Sequence, residues 1–334
     1  MENEISMAHG AGGDAYRELV REVFLPAYGS PELETLGDAA ICRVDARAGL
    51  AFTTDGFVVR PLFFPGGDLG SLCVSGTVND LAVSGAVPRY LSVSMIVEAG
   101  LPTETLRRLS ASIAATARLA GVSVVTGDTK VVERGKADGV YVTTAGVGTL
   151  DGKWALPGAA PLPGDAIVCT GHIASHGMAV MAARESLGFE PPIESDAKPL
   201  AALARVAFET GVPIHAMRDP TRGGVGATVS EWAAPGVRLI VDEPALPILP
   251  QVRSACAILG LEPLFAANEG IFLAAVPANR AHELLHALRA HPDGRSAAIV
   301  GEAVAGDGEA LLRTELGTLR RVLVPRGELL PRIC

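Results

Sequence analysis

The chain has 334 residues, 49% of them hydrophobic, with a net charge of −9 from 37 acidic and 28 basic side chains; this predicts a large core divided between two domains of about 150 residues each. No apolar run reaches the ~18 residues of a membrane span and no dense Lys/Arg cluster suits a nucleic-acid backbone; the opening MENEISMAHG lacks a signal-peptide pattern, so a cytoplasmic protein with neither partner is predicted. Five cysteines, an odd number without a CxxC pair, argue against a disulfide framework or a thiolate zinc site and suit a reducing compartment.

The first motif in chain order is His9-Gly10-Ala11-Gly12-Gly13. Gly10, Gly12 and Gly13 suit either a mobile loop whose unhindered N–H groups cover a phosphate or a flexible terminus. No strand precedes them, so they are not a dinucleotide fingerprint, and the chain has no GxxxxGK[ST]. Residues 50–59 and 122–125 read as strands, with a helix over 102–120 between them, Thr103 as its N-cap and Gly121 as its terminator. The Pro- and Gly-rich stretch 151–164 reads as the connection between domains. Beyond it the pattern predicts strands at 166–169, 271–276 and 297–304, and helices at 176–187, 225–232 and 280–291. The last strand is placed near Val324, followed by a tail stiffened by Pro325 and Pro331 and ending on Cys334.

Acidic residues recur beside the strands, in Gly37-Asp38, Thr54-Asp55-Gly56, Asn79-Asp80 and Gly127-Asp128-Thr129-Lys130. Any one of them suits a turn, because Asp and Asn cap their own backbone. Four such loops in one domain point to carboxylates converging on a hard cation that holds a triphosphate, with Lys130 neutralising phosphate charge. In the second half, Arg222-Gly223-Gly224 precedes a helix start, where an anion is favoured and a planar donor fork is at hand; a plain turn with a surface arginine is the alternative. Glu269, before a buried strand, is a turn residue or a general base. His172 and His176 lack the further ligands of a zinc site, so phosphate or core hydrogen bonding suits them better.

Cys334 is a thiol at the end of a tether. The arm spans at most roughly 30 Å when extended, enough to carry its sulfur into a pocket. A frayed terminus with an incidental cysteine is the alternative. The adjacent α-carboxylate disfavours the thiolate and Arg332 favours it, so the thiol is not strongly activated in water and its loading depends on a partner's active site.

The segments HGAGG, TTDGFVVRPLFFPGGDLG, GTVNDLAVSGAVPRYLS, GDTKVV, GHIASHG, MRDPTRGG, ANEG and LPRIC resemble, along nearly the whole chain, the HypE family of hydrogenase maturation proteins. That family lies in the aminoimidazole ribonucleotide synthetase, selenophosphate synthetase and thiamine-monophosphate kinase superfamily, which binds ATP without a P-loop. The resemblance implies an α/β and α+β protein: an N-terminal ATP-binding domain (1–152) whose strands form a homodimer core, a C-terminal α+β domain (153–324) and a flexible tail (325–334). It implies ATP and Mg²⁺ as cofactors, with Asp38, Asp55, Asp80 and Asp128 as metal candidates and Asn79, Thr129 and Lys130 near phosphate. Gly56 stands where many members carry serine, and Gly37-Asp38 offers one acid where some relatives have two.

The implied chemistry is ATP-dependent dehydration of a carbamoyl group on Cys334 to a thiocyanate. The carbamoyltransferase HypF loads the group and a HypC and HypD scaffold accepts the cyanide for the iron of [NiFe]-hydrogenase. Glu269 is the first choice of base, with Asp219 or Asp80 behind it. A selenophosphate synthetase would carry cysteine or selenocysteine in its N-terminal glycine loop, whereas the first cysteine is Cys42; a kinase gives Cys334 no role. A non-catalytic module docking through its tail would form complexes without ATP turnover.

Overall fold

The computed structural model describes residues 13–19, 21, 40–43, 49–150, 152, 154–156, 159–325, 327, 330 and 332–334. Helix α1 (Gly13–Leu19) is followed by strands β1 (Ala40–Arg43), β2 (Gly49–Phe57), β3 (Phe63–Phe64) and β4 (Gly67–Asp68), helix α2 (Leu69–Val83) and strand β5 (Val87–Glu98). Helix α3 (Thr103–Ala120), β6 (Ser123–Val132) and β7 (Val140–Leu150) complete the first half. Five of these strands form a sheet in the order β1-β2-β7-β5-β6, antiparallel except between β5 and β6. Alternation buries one face, carrying Phe57, Leu91, Val93 and Val142, beneath α2 and α3. The opposite face exposes Phe52, Tyr90 and Ile96; on edge strand β6, Val124 and Val131 are exposed although they are in register with buried Leu91 and Val97.

Helix α2 starts from a capping box: Ser71 N–H donates to the Asp68 carboxylate at 2.9 Å, and Asp68 N–H donates to Ser71 Oγ at 3.0 Å. Its residues are buried on nearly every side, so it has no polar face for sequence periodicity to reveal. Helix α3 begins at Thr103 itself; Pro102 occupies the cap position and offers no side-chain bond, which corrects the assignment of Thr103 as cap. Gly121 closes this helix in the left-handed region, as the sequence predicts.

The second half contains β8 (Asp165–Cys169), α4 (Ser175–Arg184), α5 (Ala201–Glu209), β9 (Ala216–Arg218), α6 (Gly224–Trp232) and β10 (Pro235–Asp242). It continues with α7 (Pro250–Leu259), β11 (Leu273–Pro277), α8 (Ala281–Ala290), β12 (Ala298–Asp307), β13 (Ala310–Arg313) and β14 (Leu319–Arg321). Seven strands pair in the order β14-β13-β10-β12-β8-β11-β9. Central β8 is buried on both faces: Ile167 and Cys169 pack in the core lined by α4, α6 and α7, and Ala166 and Val168 in the core lined by α5 and α8. No helix among the described residues is long and apolar enough to cross a membrane.

The two halves are joined through α2. Ala82 and Val83 enter the core of Leu203 and Leu284, and Asn79, wholly buried, bonds three backbone groups of the second half. Its amide donates to the carbonyls of Lys198 at 3.1 Å and Glu269 at 3.2 Å, and its oxygen accepts from Leu200 N–H at 2.7 Å. Asn79→Ala strands these buried groups, and a loss of about 2–4 kcal/mol in urea denaturation is expected; an unchanged midpoint and slope would show that Asn79 does not fasten the halves together.

Candidate active site

A four-residue loop from Ala267 to Gly270 organises the site. Asn268, buried, donates to the carbonyls of Pro220 at 2.7 Å and Ala266 at 3.1 Å and accepts from Ala174 N–H at 2.7 Å, which ties the loop to the segment that carries Asp219. The Asp196 carboxylate receives the N–H groups of Glu269 at 3.3 Å and Gly270 at 3.0 Å. Gly270 is required here, because a Cβ would come within 1.7 Å of the Asp196 carbonyl oxygen. The loop therefore presents Glu269, only 2% exposed, from a backbone held on three sides.

The charges around Glu269 are mostly of its own sign. Burial pushes its carboxyl well above the usual range, Asp219, Asp55 and Asp196 push it further, and Arg222 opposes them. Burial also raises Asp55, against the pull of Arg222 and the Gly56 N–H, and raises Asp196 to about 6. Arg222 Nη2 lies 4.0 Å from Asp55 Oδ1. Asp55 faces α2, where a Cβ on Gly76 would lie 3.7 Å from its Oδ2; one turn on, Asp80 accepts the Thr53 hydroxyl at 2.7 Å. Asp55, Asp80, Asp219, Arg222 and Glu269 are thus gathered at the junction of the two halves.

Other expectations need correction. The acids do not stand in loops: Asp55 is inside β2, Asn79 and Asp80 inside α2, and Asp128, Thr129 and Lys130 inside β6, which continues past residue 125. Asn79 does not face phosphate, since both its amide hydrogens bond carbonyls. Asp128 and Lys130 do not join Asp55 within one chain. Asp55, Thr144, Val93 and Gly127 form one row across the sheet, so β6 lies three strands away, roughly 14 Å. Asp128 is in register with Ser94 and Lys130 with exposed Ile96, on the face opposite Asp55. There the Thr129 N–H and Lys130 hold Asp128 below the usual carboxylate range, with Lys130 Nζ 3.3 Å away.

Gly224 is filled by its own protein, because a Cβ would meet the carbonyl oxygens of Ala266 at 2.5 Å and Leu264 at 2.7 Å; Gly223, half-buried, gives α6 its left-handed entry. Gly13 starts α1 beside Val324. Gly10, Gly12 and Asp38 lie outside the described residues.

The tail is docked at the same junction. Ile333 is 3% exposed within the core of the first half, in the cluster that also holds Ala267, and Cys334 packs against that cluster. His176 fixes it: its ring bonds the Ile333 carbonyl through Nε2 at 3.0 Å and Ser195 Oγ through Nδ1 at 2.8 Å. Burial pushes its pKa down to about 4, so the neutral ring donates from Nε2 to the carbonyl and accepts from the serine at Nδ1. Of the two histidine roles left open, core hydrogen bonding is the one His176 fills. Asp196 was missed in the sequence, where it looks like any loop acid.

Comparison with known proteins identifies the family to which this fold belongs. Residues 36–150 match the family described as AIR synthase related protein, N-terminal domain, and residues 163–313 its C-terminal counterpart. "Carbamoyl dehydratase HypE" of Cupriavidus necator is 46% identical over 333 residues, covering 99% of this chain and 95% of that protein. The chain belongs to the HypE family. Two solved members superimpose on it: HypE from a HypE-HypF complex (TM-score 0.85, 40% identity, 92% of this chain and 99% of that one) and HypE in complex with ATP (TM-score 0.82, 40% identity, 99% and 100%).

In this HypE-family chain the crowding of carboxylates has a measurable consequence. A carboxyl whose folded pKa is raised lets the unfolded state release its proton first, so stability falls as pH climbs from the ordinary glutamate value, about 4.3, towards the folded one. Glu269→Gln removes this penalty. Its unfolding midpoint should exceed that of the unmodified chain at pH 7, by about 2–4 °C for each kcal/mol relieved, and match it near pH 4; equal midpoints at both pH values would contradict the raised pKa.

Proposed function

We propose that the chain is an ATP-dependent carbamoyl dehydratase that converts an S-carbamoyl group on its own Cys334 into S-cyanocysteine, a cyanide donor for the iron of [NiFe]-hydrogenase. The observation that carries this reading is the docked C-terminus: Ile333 is buried in one cluster with Ala267, two residues from Glu269 in the chain. A terminal residue delivered to a carboxylate-lined junction suits a covalent carrier whose cargo is processed in place. The activity named for the Cupriavidus necator relative and the ATP and HypF bound by the solved members support it.

The amide oxygen of the carbamoyl group is a poor leaving group until phosphorylated. It attacks the γ-phosphorus of ATP, the bond from that phosphorus to the β,γ-bridging oxygen breaks, ADP departs, and one nitrogen proton passes to solvent. The Glu269 carboxylate takes the second nitrogen proton while the C–O bond breaks and phosphate leaves, so the oxygen of the formal water departs in phosphate and the nitrile remains on sulfur. Glu269 must be ionised for this step, and the Arg222 guanidinium is the nearby charge that favours ionisation.

Asp55, Asp80 and Asp219 have the hard oxygen chemistry of Mg²⁺ ligands. Among the described residues no three such side chains close into a metal cage; an Mg²⁺ ion held there would keep several waters and bind phosphate. Bound there, Mg²⁺ would neutralise phosphate charge. The outer sheet face with Phe52, Tyr90 and Ile96 suits a homodimer, and Asp128 and Lys130 on that face would then lie at the subunit interface, within reach of a partner's phosphates. HypF as loading enzyme, HypC and HypD as acceptor, and a reducing cytoplasm that keeps the thiol available complete the proposal.

Intact-mass spectrometry after incubation with HypF, carbamoyl phosphate and ATP should show one carbamoyl added and then one water lost, the second step requiring ATP. Cys334→Ala should show neither change; the same masses on the alanine variant would refute the carrier role.

A further inference from the structure

Arg332, two residues before the terminal thiol, is gripped by groups that the proposed chemistry does not use. Asp138 receives Arg60 Nη1 at 2.8 Å and also pairs with Arg332 Nη1. The Arg332 carbonyl accepts from Arg60 N–H at 3.2 Å and from Arg184 Nη2 at 2.7 Å, and Arg184 reaches the Arg60 carbonyl through Nε at 3.0 Å. Asp138 is itself held in place, because Glu98 accepts Gly135 N–H at 2.5 Å and Gly139 N–H at 3.2 Å and so braces the connection between β6 and β7. Three separate segments therefore converge on one tail residue.

Two features oppose the grip. Arg332 is a non-glycine residue at φ 55, in the left-handed region, and its buried Nε has no hydrogen-bond partner among the described residues. The contacts are also partly in water, with the Arg60 side chain 63% and the Asp138 side chain 35% exposed. A strained residue held by partly solvated charges is the weakest point of the docked tail, whose other anchors are the burial of Ile333 and its bond to His176.

We propose that Asp138, with Arg60 and Arg184, is a positioning residue that clasps Arg332 and divides the time of the tail between docked and presented states. Clasped, the tail holds Cys334 for dehydration; unclasped, it offers Cys334 to the loading enzyme. The inference rests on the carrier reading above, but its first readout needs neither partner nor ATP. Asp138→Asn should raise the rate of Cys334 alkylation by iodoacetamide, followed by peptide mass, about threefold to fivefold, the range open to a partly exposed ion pair. Added salt should raise the rate for the unmodified chain towards that of the variant and leave the variant unmoved.

In the partner assay the same substitution should speed carbamoyl loading and slow single-turnover, ATP-dependent water loss, with the unfolding midpoint unchanged. Arg332→Gln, placed on the tail outside Asp138's loop, should give the same opposed pair. Loading and dehydration slowed together, or neither rate altered, would overturn the clasp. A chain that alkylates as described yet never loses water would instead refute the dehydratase reading and leave the clasp standing.

Discussion

The hydrogen-bonded loop from Asn268 to Gly270 is the constraint on which the site depends. Burying a carboxyl beside three others is unfavourable, and a loop with loose backbone would swing Glu269 out into water. Asn79 and Asp196 prevent this by bonding the loop's main chain from the first half and from the 196–200 segment, and the loop's own Asn268 side chain ties it to the Pro220 carbonyl. The Asn79 bonds also fasten the two halves, so the position of the loop and the packing of the halves are linked. Glu269 accommodates the crowding by holding its proton more tightly, which also makes it a stronger base once ionised.

The tail uses the junction differently. Ile333 supplies apolar burial in the first core and Leu330 packs against both cores, while Arg332 supplies polar contacts that set the register of the last three residues. His176 adds a directional bond that survives across neutral pH because its ring stays uncharged. Apolar anchors alone would hold the chain loosely along its length; the directional bonds to Arg332 and Ile333 place the terminal sulfur. A covalent carrier needs such placement, since a misaligned reacting group loses most of the advantage of being tethered.

Some of this was legible in the residues. Helix α3, with its apolar spacing and Gly121, was read to within a residue, and strand β8 was plain as a short apolar run. Helix α2 was not, because burial on every side removes the polar face that marks an amphipathic helix. Strand β6 was cut short at residue 125 because Gly127 and Asp128 look like a turn, whereas pairing with β5 continues to Val132. Asp55, Asp80, Asp219 and Glu269, singled out by their sequence contexts, lie near one another at the junction, whereas Asp128 and Lys130, which the sequence groups with them, are on the opposite sheet face.

By itself the sequence determined the family and its two-part build and pointed to a group of carboxylates and a terminal thiol, because these reside in residue types and their local spacing. Tertiary structure alone decided which carboxylates meet, that Asn79 and Gly224 serve packing, that His176 is neutral and that Asp138 meets Arg332 at a sequence separation of 194. The physical reason is that a side chain's chemistry is its own, whereas its proton affinity and its partners are set by segments distant in sequence that burial and backbone hydrogen bonds bring together.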